Sequence, residues 1–344
     1  MRPSQIIVLY NTDYDAEAAA TDVVSVETSA RALAAALIEG GARVELIGLY
    51  GLEVLAVLDK VRAARPDLVF NLCESMAGDA RNEPTFVGLL DLFEIPYTGA
   101  DLLGLASCLH KQRTKEILIA HGIATPPHRF LNELAAIDDP ALDALDYPWF
   151  VKLAHEDASV GITEANLVAT AAALRARVRE LMLAYRQPVL AERYVEGREL
   201  NVTLIGNAAE LRVLPVHEID FAAMPADRPR IVSYAAKWDE GHVDYAGTKP
   251  VPLRNASPGL IASVERIARA AWQALGLRDY GRIDLRVDAA GTPWVIDVNP
   301  NPDISPDAGV ARSARIAGMS YPQLIAHIAQ VAYRRIHQRF ADGR

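Results

Sequence analysis

The stretch 281–303, GRIDLRVDAAGTPWVIDVNPNPD, holds two strand-length runs around a short polar connection, and its reading organises the rest of the chain. Period-two alternation places Arg282, Asp284 and Arg286 on one face of the first run, with Ile283, Leu285 and Val287 on the other. In the second run Val295, Asp297 and Asn299 share a face, opposite Trp294, Ile296 and Val298. A hairpin closed around AAGT then sets Asp284 opposite Asp297 and Arg282 opposite Asn299. Two facing carboxylates repel unless a cation relieves them. Mg²⁺ would do so, because it takes oxygen ligands in octahedral geometry and commonly joins one or two carboxylates to phosphate oxygens. The residue types leave a second reading open, in which Arg282 and Arg286 simply neutralise a solvated acidic face.

Upstream, the first third alternates strand and helix signals. QIIVLYN (5–11), RVELIGL (43–49) and DLVFNL (67–72) are apolar or β-branched runs of strand length. SARALAAALIEGG and LEVLAVLDKVRAARP lie between them as Ala/Leu-rich helical patterns ended by Gly or Pro. The alternation predicts a parallel sheet with helices on both faces. EPTFVGLLDLFEI reads as a further helix, PYTG as a turn, and LLGLASCLHKQRTKEILIAHG as one helix closed by Gly122. Beyond Pro126–Pro127 come strands YPWFVKLA (147–154) and PVLAERYV (188–195), with a helical stretch 165–186 between them. RELNVTLIGN and AELRVLPVHEI read as antiparallel strands turning at Asn207, and 221–257 as a long loop. Ser257 caps a helix that begins at Pro258.

Composition excludes several classes. A net charge of −9 argues against nucleic acid as an electrostatic partner, while phosphate binding needs only a few local cations. No run approaches the roughly 20 apolar residues of a membrane helix, so no membrane partner is expected. Cys73 and Cys108 are too few for a disulfide framework or a cysteine metal cluster. MRPSQIIVLYN runs directly into a strand and leaves no room for a signal peptide, so the expected location is cytoplasmic.

With these stretches in view, the chain resembles ATP-grasp ligases, and within them the D-alanine–D-alanine ligase branch. The resemblance runs in order through IPYTGA, HKQRTKEIL, GIATPP, YPWFVKLAHEDASVGI, VLAERYVEGREL, AAKW, GRIDLRV and VIDVNPNPDISP. It implies an α/β ATP-grasp fold. A doubly wound parallel-sheet domain (1–109) would precede two α+β subdomains, 110–190 and 191–344, that clamp ATP. It further implies that Lys111 and Lys152 hold the nucleotide's phosphates, with Ser159 and Gly161 in the flexible loop that covers them. Glu192 would accept from the adenine amino group, Tyr194 and Val195 would form the hinge reading the purine edge, and Glu199 would contact the ribose. Lys237 would close over the terminal phosphate and Arg282 would steady the transferring phosphoryl group. Asp284, Asp297 and Asn299 would hold two Mg²⁺ ions, with Mn²⁺ as a substitute, and the protein would form a homodimer. Lys152 supports this independently, since a charge inside WFVKLA needs an anionic partner.

The implied activity is ATP-dependent joining of a small-molecule carboxylate to an amine through an acyl phosphate. Departures from the branch cluster at the substrate end. Where D-alanine ligases carry an acidic residue, a serine and a tyrosine that hold the first amino acid and the closed loops, this chain has Val23 (beside Asp22), Ala158 and Trp238. The histidine-glycine element after the third strand is replaced by NLCESMAGDARNEP, whose Glu74, Asp79, Arg81, Asn82 and Glu83 become candidate substrate contacts at the carboxyl end of a sheet. Asp303 stands where the branch has glycine and is a candidate for recognising a cationic acceptor. The expectation is therefore an amino-acid or peptide ligase, with D-alanine–D-alanine ligation and an ATP-grasp small-molecule kinase as alternatives.

Overall fold

The computed structural model describes the backbone of residues 2–12 and 19–341 and the side chains of 2–12 and 26–337. Its N-terminal layer alternates β1 (Gln5–Asn11), α1 (Ala19–Glu39), β2 (Arg43–Leu49), α2 (Val54–Ala64) and β3 (Leu68–Leu72), followed by α3 (Glu83–Leu92) and α4 (Leu102–Leu109). The three strands are parallel in the order β2-β1-β3. Both faces are buried, which explains why β1 is apolar throughout rather than alternating. Ile7, Leu9 and Val69 pack under α2, α3 and α4. Ile6, Val8, Leu68 and Phe70 pack on the other face against α1 and against Leu324, Ile325 and Ile328 of the last helix, Tyr321–Ala341.

The chain continues with α5 (Lys111–Ala120), β4 (His128–Leu131), β5 (Trp149–Leu153), β6 (Leu167–Val168), α6 (Ala171–Tyr185) and β7 (Val189–Arg193). These strands form an antiparallel sheet in the order β4-β7-β5-β6. The third part contributes β8 (Arg198–Ile205), β9 (Arg212–Val213), β10 (His217–Asp220), α7 (Tyr234–Trp238), α8 (Val243–Gly247), β11 (Lys249–Pro252) and α9 (Pro258–Ala274). It ends with β12 (Tyr280–Val287), β13 (Pro293–Asn299), α10 (Gly309–Ile316) and α11 (Tyr321–Ala341). Its sheet runs β11-β10-β8-β12-β13, with β9 also paired to β8. The α9 stripe Val264, Ile267, Ala268, Ala271 and Trp272 covers one face of that sheet, and Ser257 Oγ accepts from Leu260 N–H at its start, as its sequence predicts.

The expected hairpin forms in the expected register, with Arg282 opposite Asn299 and Asp284 opposite Asp297. Four local differences have physical causes. Residues 102–122 make two helices rather than one, because His110 leaves helical geometry (φ −85°, ψ 86°) and the Lys111 N–H turns to the Ala154 carbonyl. The helix of 165–186 begins only at 171, where Thr170 caps it, after a tight turn in which Thr163 and Asn166 cap each other. The run 209–219 does pair antiparallel to β8, but in two pieces; Pro215 between them has no N–H to give the ladder. In β13 the register skips Ile296, so Leu285 pairs with Val295. That bulge turns Val295 to the buried face with Val298, contrary to strict alternation.

Candidate active site

A cleft of about 1610 Å³ opens between the three parts. Its phosphate-binding candidates arrive from separate elements. Lys111 begins α5, Lys152 interrupts β5, Lys237 lies in α7 and Arg282 lies on β12. All four act electrostatically on Asp297, whose carboxyl they hold below the usual range although burial pushes the other way. Lys111 is almost fully buried, and its Nζ lies 2.7 Å from Asp157 and 3.9 Å from Asp297. Burial would discharge it, but those two carboxylates raise its pKa. Burial and the neighbouring Arg282 lower the pKa of Lys237, whose side chain opens into the cleft.

Arg282 forks onto Asp284 with bonds of 2.8 and 2.9 Å. Asp284 also accepts from Asn201 Nδ2 at 2.6 Å and Asn299 Nδ2 at 3.1 Å. Four donors fill the four lone-pair directions of its carboxylate, whereas Asp297 faces the Lys111 ammonium only at 3.9 Å. The donor chemistry suits a hard dication. Asp297 is held ionised, and Asn299 spends its amide nitrogen on Asp284, leaving its amide oxygen for a metal. Asp284 joins that set only by releasing one of its four donors.

The opposite wall is built by β7 and the start of β8. Glu192 is buried between Lys152, 3.0 Å away, and Lys115, 2.6 Å away. Burial would raise its pKa, but the two ammonium groups bring it below the usual value. Tyr194 N–H donates to the Pro148 carbonyl, and its hydroxyl donates to the Arg230 carbonyl at 2.9 Å. Val195 is buried beside it, and Glu199 sits 3.4 Å from Arg286. Burial raises the Glu199 pKa despite that arginine.

Glu74, Asp79, Glu83 and Asp303 also line the cleft. Glu74 is open to cleft water, yet the enclosing walls and Asp303 push its pKa up to about 7. Glu83 is raised well above its ordinary value by burial and Glu74, although Asn301 donates to it at 3.1 Å. Asp303 accepts from the Ser305 N–H at 2.8 Å. Asp79 is held low chiefly by its hydrogen bonds with Arg81, itself exposed.

Most of the sequence candidates therefore converge on one cleft; Arg81, Asn82 and Gly161 do not line it. Asn82 bonds the Met76 carbonyl, and Gly161 (φ +72°) offers its carbonyl to Asn166 and Arg177. Sequence reasoning missed Lys115, Asn201 and Asn301. Lys115 had a signal, since it follows Lys111 by one helical turn and so shares its face.

A family model described as the C-terminal part of D-ala D-ala ligase matches residues 117–330. The D-alanine–D-alanine ligase of Chromohalobacter salexigens is 32% identical over 281 residues, 82% of this chain and 79% of that protein. The chain belongs to the D-alanine–D-alanine ligase family. It is accordingly an ATP-grasp, ADP-forming carbon–nitrogen ligase. An uncharacterised protein of Sinorhizobium fredii, y4sG, is 33% identical over 78% of this chain and 75% of that protein. The fold agrees with a Bacillus anthracis D-alanine–D-alanine ligase solved with ATP: TM-score 0.77 at 22% identity, covering 98% of this chain and all of that one.

Ala158 and Trp238, two of the positions expected to differ from the branch, lie on facing loops. Trp238 Nε1 donates to the Ala158 carbonyl at 3.2 Å, Ser159 Oγ donates to the Val232 carbonyl at 3.0 Å, and Tyr234 N–H donates to the Ile162 carbonyl. The loop before β6 and the segment carrying Lys237 are thus joined largely through main-chain acceptors, which do not depend on the side chain at 158. The side chains of Asp22 and Val23 lie outside the described residues. Among the described residues no helix is long and apolar enough to cross a membrane.

Proposed function

We propose that this ligase joins two D-alanine molecules, activating the first as an acyl phosphate at the expense of ATP. The single observation carrying this reading is the convergence of Lys111, Lys152, Lys237 and Arg282 on Asp297 inside one cleft. Such a cluster suits a nucleotide's phosphate chain and the charge that develops during phosphoryl transfer. The names of the relatives favour D-alanine over the broader expectation of an unspecified amino-acid ligase. The charges of the cleft support an amino-acid substrate: besides its cations it is lined by Glu74, Glu83 and Asp303, and Asp303 acts electrostatically on both Arg282 and Glu74. Both charges of a zwitterion would find partners here, its carboxylate among the cations and its ammonium among these carboxylates.

Asp297, Asn299 and a partly released Asp284 would hold Mg²⁺, which supplies charge neutralisation at the phosphates. Lys237, on the segment bonded to the loop before β6, would cover the terminal phosphate and help exclude water from the acyl phosphate. Glu192, Tyr194, Val195 and Glu199 would take the adenosine. A homodimer of cytoplasmic location belongs to the same reading.

A second reading rests on Asp303 and Glu74, whose crowded carboxylates favour an acceptor with an additional cationic group. ADP release, with product mass, separates the readings. D-alanine alone should give ADP and the dipeptide. ADP formed only when D-alanine is paired with a diamino acid would favour the second reading, and a phosphorylated hydroxyl compound would overturn both.

A further inference from the structure

Two buried lysines share one buried carboxylate on the base-binding wall. Lys152 Nζ lies 3.0 Å from Glu192 Oε1 and donates to the Ile296 carbonyl at 2.9 Å. Lys115 Nζ lies 2.6 Å from Glu192 Oε2 and donates to Thr125 Oγ1 at 2.8 Å. Thr125 in turn donates to the Val295 carbonyl at 2.7 Å, beside the β13 bulge. The lysines are not equivalent. Lys152 lines the cleft, so its ammonium can turn to an arriving phosphate; Lys115 does not line it, and its side chain is 3% exposed.

Losing Lys152 to a phosphate would uncover Oε1, the atom then free to accept a hydrogen bond. A buried carboxylate with no remaining counterion would take up a proton and offer a donor where an acceptor is needed. Lys115 prevents this, because its Thr125 anchor holds it behind Glu192 whatever Lys152 does.

We propose that Lys115 is a positioning residue for base selection: it keeps Glu192 charged and aimed so that this carboxylate can accept from the 6-amino group of adenine when Lys152 leaves for the phosphates. The proposal rests on the reading that Glu192 faces adenine. It assigns the two lysines different jobs, Lys152 to the phosphate chain and Lys115 to the base.

The test compares binding of ATP with that of purine-riboside triphosphate, which lacks only the 6-amino group, by titration calorimetry in magnesium buffer. Wild-type protein should prefer ATP by about tenfold or more, as a hydrogen bond to a charged group implies. Lys115→Met should reduce that preference to about threefold or less, chiefly through weaker ATP binding. Lys115→Arg should retain most of it. Glu192→Gln should also reduce the preference, and adding Lys115→Met to it should change little further. Lys115→Gln repeats the measurement should the methionine variant fail to fold. Equal weakening of both nucleotides in a folded Lys115 variant would overturn the proposal, since a merely structural role predicts that. A preference kept in Lys115→Met but lost in Glu192→Gln overturns the role of Lys115 alone. No preference in the wild-type protein overturns the adenine assignment of Glu192 itself.

Discussion

Asp279 joins the N-terminal layer to the sheet that carries the acidic pair, and its removal should be costly. The residue is fully buried, in the left-handed region at φ +65°. Its Oδ2 accepts from Gly99 N–H at 3.0 Å and Arg335 Nη2 at 2.8 Å. Its Oδ1 accepts from Asn207 Nδ2 and Arg335 Nε, both at 2.9 Å. Alanine would leave the guanidinium of Arg335, 12% exposed, without its carboxylate. Removing one partner of such a buried pair typically costs about 3–5 kcal/mol. An unfolding entropy of about 2.1 cal/mol/K per residue, taken over this chain, turns that cost into a fall in Tm of about 4–7 °C. Asparagine keeps an acceptor and tolerates the backbone conformation, so Asp279→Asn should lose less. Because Gly99 also abuts Asn301, which accepts from the Ala100 N–H, the alanine variant should raise KM for the amino substrate more than for ATP. Scanning calorimetry and initial-rate kinetics test both parts. Melting of Asp279→Ala within about 1 °C of wild type would refute the reasoning, because a loss that small corresponds to less than about 1 kcal/mol.

Three further outcomes are expected. Lys237→Met should leave ATP bound yet lower kcat by about 10²–10³, the scale for losing one charge-stabilising donor; single-turnover kinetics showing full-rate chemistry would contradict it. Asp297→Asn should abolish the Mg²⁺ dependence of ATP affinity measured by calorimetry with and without the metal, and an unchanged dependence would remove Asp297 from the metal set. Glu74 keeps its proton in the folded protein up to about pH 7, above the ordinary carboxyl value of 4.5. Between those limits the native state binds more protons than the unfolded one, so this residue's contribution to stability falls as pH rises. Wild-type Tm minus that of Glu74→Gln should therefore decline from pH 4.5 to 7; parallel curves would contradict the assignment.

What was legible in the sequence, and what was not, follows from how local each determinant is. The β12–β13 register could be read because alternating acidic and apolar residues and a short polar connection fix it within 20 or so positions. The parallel layer was legible for the same reason: three apolar runs separated by helical periodicity leave little choice of architecture. The bulge at Ile296 was not, since nothing in WVIDVN announces it; at the bulge the Ile296 carbonyl accepts from Lys152 of another sheet, a partner far off in sequence. The break at His110 depends in the same way on Ala154, some 40 residues further along. Lys115 is the clearest case. A helix wheel puts it on the face of Lys111 but does not name its partners, and its burial is decided by a glutamate on β7 and a threonine before β4. Charges whose partners come from distant segments are those that sequence patterns hide, and in this cleft nearly every charge is of that kind. Resemblance to a family supplied the roles expected of them because it carries the tertiary pairing that periodicity lacks, and it was silent on Lys115, whose partner Glu192 was expected to face only the nucleotide.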